Sequence, residues 1–575
     1  MSDGWKATRQ RAPSASPLRP RGVEDQSTHR NFMGENRETL SAVRGCEAAD
    51  RPEKAMSYKT GMHGGRESYS GIVPAKHPNK TGGPAAEDPE GAPEGRPLAK
   101  ENTGEPNPLR AQDRGGGPNG LARVREAAKR DGKLRFTTLL HHVTVALLRQ
   151  SYFGLQKQAA PGVDGTTWQA YGQDLEQNLV QLHNRVHRGA YRARPSRRVW
   201  IPKPDGRQRP LGIAALEDKI LQRAVGTVLN QIWEADFLGF SYGFRPGRKQ
   251  HDALDALWVG ITRKKVNWVL DADIRGFFDH IDHEWLVKFV EHRIGDRRVV
   301  RLIQKWLQAG VLEEGKWIDT EEGTPQGAVL SPTLANLYLH YVLDVWVEAW
   351  RKKVAHGDVI IVRYADDLVM GFQYREEAER FLEQLRERLR KFGLELHPEK
   401  TRLIEFGRFA QKRREEHGEG KPETFHFLGF THICGRNLTT GKFTVVRRTM
   451  GKRMAAKLKD IGAQLRERLH TGWQENVEWL RSVVRGYFQY HAIPGNQARL
   501  KAFRHEVVRL WWHQLRRRSQ RHRWTWDRFQ KKLSFLIPAV QILHPYPVAR
   551  FDVKYPRQEP CAVMPPARVC AGGGQ

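Results

Sequence analysis

Tyr364-Ala365-Asp366-Asp367 sits between two apolar runs, Val359 to Val362 before it and Leu368 to Phe372 after it. Two adjacent acids at a tight turn repel: unit charges 4 Å apart cost about 4 kcal/mol at an effective dielectric of 20 unless a cation is present. A second acidic site lies upstream, where Val269-Leu270-Asp271-Ala272-Asp273-Ile274 reads as another apolar strand carrying carboxylates. Acids at the ends of hydrophobic strands describe a divalent-cation site. Alone, the tetrapeptide also suits a solvated turn. Its strand context and the distant Asp273 favour the metal.

The elements that must position these acids follow from periodicity. Leu134 to Leu148 carries apolar side chains at helical spacing, and Asp174 to His187 reads as helix. Arg197 to Ile213 reads as strand, turn, strand, with Asp205-Gly206 at the bend and Lys203, Arg207 and Arg209 near the tip. Leu216 to Ile232 is a helix, Trp268 to Ile274 a strand and Trp285 to Leu307 a further helical stretch. A long amphipathic helix follows the loop Gly323 to Pro332 and runs to about Ala349; Glu376 to Phe392 makes another. Helices alternating with short strands describe an α+β fold. Beyond about residue 450 the chain reads as helical and basic.

Composition narrows the partner. The 575-residue chain carries a formal charge of +31, which points to a polyanion, most simply nucleic acid. No apolar run reaches the roughly 18 residues of a membrane span, so no membrane is expected. Cys46, Cys434, Cys561 and Cys570 form no Cys-x-x-Cys pair, which argues for a reducing compartment and against a zinc module. The N-terminus lacks the apolar core of a secretory signal, and a cytoplasmic location is expected. The first 118 residues are dense in Gly, Pro, Ser and charge, and read as disordered.

Six segments occur in a telling order: Phe240-Ser-Tyr-Gly-Phe-Arg-Pro-Gly-Arg248, Asp273-Ile-Arg-Gly-Phe-Phe-Asp279, Gly323-Thr-Pro-Gln-Gly327, Tyr364-Ala-Asp-Asp367, Gly393-Leu-Glu-Leu-His-Pro-Glu-Lys400 and Phe425-His-Phe-Leu-Gly-Phe430. Any one arises by chance; together, between residues 134 and 535, the set resembles the reverse transcriptases encoded by bacterial mobile group II introns. The resemblance implies an α+β right-hand polymerase: fingers, a palm built on an antiparallel sheet flanked by helices, and a helical thumb. The expected division is 1–118, low complexity; 119–190, N-terminal extension and start of the fingers; 191–262, fingers; 263–435, palm with the metal site; 436–535, thumb or domain X, the maturase part; and 536–575, a basic tail without an endonuclease.

By that resemblance Asp273, Asp366 and Asp367 hold two Mg2+ ions, the Ile274 carbonyl completes one coordination sphere, and Asp271 and Asp279 are structural neighbours. Lys203 and Arg209 grip the triphosphate of a deoxynucleoside triphosphate, unless they simply decorate a solvated hairpin tip. Phe278 takes the place of the ring that excludes a 2′-hydroxyl, or packs in the core. Gln326 lies against nucleotide and template, with Gly327 allowing close approach. Lys400 is the proton donor to pyrophosphate, a position that equally suits a surface lysine.

Residues 501 to 532 hold eleven Lys or Arg against two acids, among Trp511, Trp512, Trp524 and Trp526. Arg516, Arg517, Arg518, Arg521 and Arg523 are expected on phosphates, with the tryptophans as stacking surfaces. Trp479, Tyr487, Phe488 and Tyr490 are expected in the thumb core. The implied partners are the intron RNA, an RNA template with a DNA primer, and target DNA. The implied activity is RNA-directed DNA synthesis with assistance to splicing. The alternatives are a splicing-only maturase, or a reverse transcriptase of a retron, a diversity-generating element or an antiphage system.

Overall fold

A computed structural model describes residues 118–202, 208–313, 316–318, 323–324, 327–437, 439–518 and 525–554. The N-terminal segment, Lys203, the Asp205-Gly206 bend, Gln326, Arg521, Arg523, Trp524 and three of the four cysteines lie outside the described residues. Among the described residues no helix is long and apolar enough to cross a membrane.

The strands, in chain order, are β1 (Ser196–Pro202), β2 (Gln208–Ile213), β3 (Trp268–Asp273), β4 (Val311–Glu313), β5 (Lys316–Ile318), β6 (Val359–Tyr364), β7 (Asp367–Phe372), β8 (Arg402–Glu405), β9 (Phe425–Phe427), β10 (Phe430–Arg436) and β11 (Phe443–Thr449). They form three sheets, in the orders β6-β7-β3-β8, β2-β1-β4-β5 and β11-β10-β9. The first is antiparallel throughout. Its strands β6 and β7 read as nearly unbroken apolar runs because both faces are covered. On one side the helix Gln250–Arg263 brings Gly260 so close to Ile360 that an added Cβ would sit 2.9 Å from Ile360 Cδ1. On the other, Phe381 of the helix Arg375–Arg390 meets the Phe372 ring at 5.4 Å. A ring buried this way stabilises the sheet by about 1.5–3 kcal/mol.

Several elements depart from the sequence reading. Leu134 to Leu148 is not one helix. The helix Pro118–Arg130 comes first, then extended chain, a 3-10 turn at Leu140–His142 and the helix Val145–Phe153, begun by the Thr144 hydroxyl accepting from Leu147 N–H. The competing attraction is tertiary. Buried Asp296 accepts the N–H groups of Leu139 and Leu140 at 2.8 and 3.0 Å, and Phe136 bridges to Ile294. The stretch Trp285 to Leu307 is likewise two helices, His283–Arg293 and Arg297–Leu307, the second capped by the same Asp296 through Arg298 N–H. The long helix after Ser331 runs to Lys353, through a π-helical turn at His340–Asp344.

Chain order and spatial grouping also differ at the expected domain limits. β4 and β5 fall in the stretch read as palm, yet β4 pairs in parallel with β1 of the fingers hairpin. The β10–β11 hairpin straddles residue 436, so the helical region begins only at Gly451. The helices Gly451–Glu467, Trp473–His491, Gln497–Arg517 and Trp526–Leu533 then enclose a second core around Ile461, Leu480, Val507, Trp511 and Phe529. Past that core the chain returns to the palm: Phe551 of the helix Pro547–Lys554 is buried in the main core, and Arg550 Nε lies 2.8 Å from Asp255 Oδ2.

Candidate active site

The acids meet at one end of the first sheet. β6 and β7 are joined by the two-residue turn Ala365-Asp366, with Ala365 in the left-handed region at φ 57°. Such a hairpin needs a positive φ at its first turn position, which matches the twist of the strands. Asp367 opens β7 and lies directly across from Asp273, the last residue of β3. Directly opposed residues of antiparallel strands have their Cα atoms about 4.5–5.5 Å apart. Asp273 and Asp367 are therefore neighbours through register, and Asp366 reaches them through the turn. Asp271 points to the same face as Asp273, two residues away on β3, and sits 3.9 Å from Arg402. Asp279 lies in the exposed turn beyond β3.

The Ile274 backbone is also placed by register. Its bridge to Leu396 is made by the groups on either side of it: Arg275 N–H donates to Glu395 O at 2.8 Å, and Asp273 O accepts from His397 N–H at 2.7 Å. In such a pair the central carbonyl turns to the opposite edge of the strand. Here that edge faces β7 and its aspartates.

Electrostatics records the crowding. Burial chiefly, then the charge of Asp273, raises the Asp366 carboxyl, while its own backbone N–H, Arg209 and Arg363 oppose the rise. Asp367 is open to solvent on one side. The protein packed around its carboxyl, and then the charges of Asp366, Asp273 and Asp271, still push it up to about 7. Mutual repulsion among carboxylates is what a divalent cation relieves, so the donor set fits one. Among the described residues no three such groups are drawn together tightly enough to hold a single ion as they stand. Lys400 Nζ donates to Asp273 Oδ2 at 2.5 Å.

The other expected residues lie in three parts of the fold. The fingers hairpin hangs over the palm: Arg209 stands on β2 and acts on Asp366, and an added Cβ on Gly327, whose φ is +116°, would lie 2.7 Å from Gly212 O of the same strand. What Gly327 lets approach is thus the fingers backbone. Phe278 is half-buried at the foot of β3, packed against the main core, and its carbonyl accepts from Thr324 N–H at 2.8 Å. That bond ties the Gly323-Thr324 segment to the turn that follows β3, the strand carrying Asp271 and Asp273. Arg516, Arg517 and Arg518 are exposed at the end of their helix, Arg516 with its guanidinium 4.8 Å over the Trp512 ring at the edge of the second core.

A profile described as "Reverse transcriptase (RNA-dependent DNA polymerase)" matches residues 201–432. Protein YkfC of Escherichia coli (strain K12) is 34% identical over 335 residues, covering 51% of this chain and 87% of that protein. The chain belongs to the reverse transcriptases. The group II intron-encoded protein LtrA of Lactococcus lactis subsp. cremoris is 40% identical over 166 residues, 29% of this chain and 27% of LtrA. An uncharacterized 91 kDa protein in a cob intron of Schizosaccharomyces pombe is 28% identical over 388 residues, 55% of this chain and 45% of that protein. The chain spans less than half the length of these last two relatives. Together the likenesses make it a reverse transcriptase of the group II intron type.

Some readings of this reverse transcriptase need correction. Trp511 is fully buried against Phe529 and is thumb interior, not a stacking surface, while Trp512 and Trp526 are half-buried and pack on the edge of the same core. Tyr490 belongs to the palm side: its hydroxyl donates to Leu428 O at 2.7 Å and its ring lies over Phe430. Tyr487 and Phe488 do line the thumb core, with Trp479 at its edge. Sequence reasoning missed Arg453, whose charge pulls the Asp367 carboxyl down from the first thumb helix, and Arg363 with Asp344, which lie behind the Ala365-Asp366 turn. Arg363 carried a signal, since an arginine inside an apolar strand calls for a buried partner.

Proposed function

We propose that this reverse transcriptase is encoded by a group II intron, adds deoxynucleotides to a DNA primer on intron RNA, and assists splicing by clamping that RNA. Asp273, Asp366, Asp367 and the Ile274 carbonyl would hold two Mg2+ ions, which neutralise the attacking and leaving oxygens of in-line nucleotidyl transfer. The observation that carries the reading is the register that sets Asp273 across from Asp367, with Asp366 on the turn and Arg209 above it.

The chain's own groups divide the remaining work. Arg209, on the fingers strand, pairs with triphosphate oxygens through its planar fork. Lys400, beside Asp273, hands a proton to departing pyrophosphate. Phe278, fixed by the Thr324 bond, presents a ring that leaves no room for a 2′-hydroxyl. Lys203 and Gln326, outside the described residues, are proposed as further nucleotide contacts. Arg516, Arg517 and Arg518 supply phosphate contacts on the thumb, as Arg521 and Arg523 would beyond them. Target DNA is the remaining partner, and the nucleoid or an intron ribonucleoprotein in a bacterial cytoplasm the proposed location.

The test is primer extension by the full chain on an RNA template with Mg2+, comparing deoxynucleotides with ribonucleotides. Template-dependent DNA synthesis is expected. Splicing assistance without any incorporation would instead make the protein a maturase with an idle metal site.

A further inference from the structure

The turn that carries Asp366 and Asp367 is held from behind by a side chain that touches neither. Arg363, at the penultimate position of β6, is completely buried, as is Asp344 in the π-helical turn. Each N–H of its guanidinium has a partner. Nε donates to Asp344 Oδ1 at 2.7 Å and Nη2 to Asp344 Oδ2 at 2.6 Å; Nη2 also donates to Ser241 Oγ at 2.7 Å. Nη1 donates to Asn336 Oδ1 at 3.1 Å and to the Ala365 carbonyl at 2.9 Å. Arginine is the one side chain with five donors in a fixed fork, so lysine cannot reproduce this set.

The same partners grip the turn a second time. Asn336 Nδ2 donates to Gly243 O at 2.6 Å. The segment Phe240–Gly243 runs beside Arg363 through one isolated parallel bridge, with Tyr242 N–H on Arg363 O and Arg363 N–H on Phe240 O, both at 2.9 Å. An added Cβ on Gly243 would collide with the Ala365 backbone nitrogen, so only glycine lets this segment lie flat along the turn. Ala365 meanwhile occupies the left-handed region, which an alanine enters only when its surroundings compel it.

We propose that Arg363 is the positioning residue of the catalytic turn, anchored by Asp344 and Asn336 and holding Ala365 left-handed so that Asp366 and Asp367 stay in register with Asp273. The inference rests on the polymerase reading above. The π-helical turn then has a purpose, since it sets Asp344 under the fork of Arg363; such bulges recur at functional sites. The device works through backbone geometry, so its loss shows in chemistry and metal use rather than in nucleic-acid affinity.

The experiment compares the full chain with Arg363→Lys, Arg363→Lys combined with Ala365→Gly, and the milder Asn336→Ala, reading turnover, Mg2+ half-saturation, KM for primer-template and RNA affinity. In Arg363→Lys, turnover is expected to fall about tenfold or more and Mg2+ half-saturation to rise about fivefold, while KM and RNA affinity stay within about twofold. Adding Ala365→Gly is expected to recover about threefold of the lost turnover, because glycine adopts the positive φ without help. Asn336→Ala moves turnover and Mg2+ half-saturation the same way, by less. The proposal is overturned if Arg363→Lys keeps wild-type turnover and Mg2+ dependence per folded molecule, if RNA affinity falls in step with turnover, or if the glycine gives no recovery. Should Arg363→Lys not fold, an unchanged Mg2+ dependence in Asn336→Ala overturns it. A wild-type chain unable to extend any primer removes the polymerase reading instead, a failure seen before any variant is compared.

Discussion

The palm turn and the thumb solve opposite problems with the same residue type. In the palm, Arg363 is sealed from solvent and each of its donors is matched, so that two neighbouring acids are held where they repel. In the thumb, Arg516, Arg517 and Arg518 are exposed at a helix end, Arg516 resting on Trp512, beside a tryptophan-lined core that has no residue in common with the palm core. A buried arginine fixes geometry because every alternative position leaves donors unpaired. An exposed one contributes long-range attraction to phosphate and tolerates many poses. On the proposed reading, the buried arginine serves the chemistry and the exposed ones the binding.

The largest break in this comparison is Asp366→Ala. DNA synthesis is expected to fall by about a thousandfold or more, while RNA affinity measured by filter binding stays near wild type; parallel loss of both would mean that site and clamp are not separate. Next in size is Trp511→Ala, which empties the centre of the thumb core and should cost about 3–5 kcal/mol in denaturant unfolding of the thumb. If the palm unfolds at an equally lowered denaturant concentration, the two cores are not independent.

A smaller effect sharpens the electrostatic side. The Asp367 carboxyl is pushed up to about 7, by burial first and then by its acidic neighbours. A raised carboxyl keeps its proton below that pH, and Mg2+ must displace it. Mg2+ half-saturation should therefore rise as pH falls from 8 to 6, by about tenfold per unit once below 7, and a flat profile would count against Asp367 as a ligand. The smallest effect belongs to the thumb. Changing Arg516, Arg517 and Arg518 together to Ala should make the log affinity against log salt slope shallower by about 2 to 3, with turnover on saturating substrate unchanged. A slope like the wild type's, with a lower melting temperature, would leave these residues as partners of the helix dipole only.

The acid-bearing strands were legible because the signal is local, apolar runs of strand length punctuated by acids, whereas the choice of Asp273 with Asp366 and Asp367 came from the resemblance. The basic thumb was legible as charge, yet its tryptophans were misplaced, since a ring among arginines has the same composition whether it faces solvent or core. Leu134 to Leu148 had helical spacing and still broke, because Asp296, far along the chain, offers Leu139 and Leu140 hydrogen bonds that a helix there would forgo.

What the chain determines by itself is which groups can do chemistry and which segments can be strands, since residue type and short-range period act over a few neighbours. Only the tertiary structure decided that Asp367 lies across from Asp273, that β4 joins the fingers, and that Arg363 grips the turn through Asp344 and Asn336. Register and buried pairing depend on groups distant in sequence, and their energies exist only once folding has excluded water.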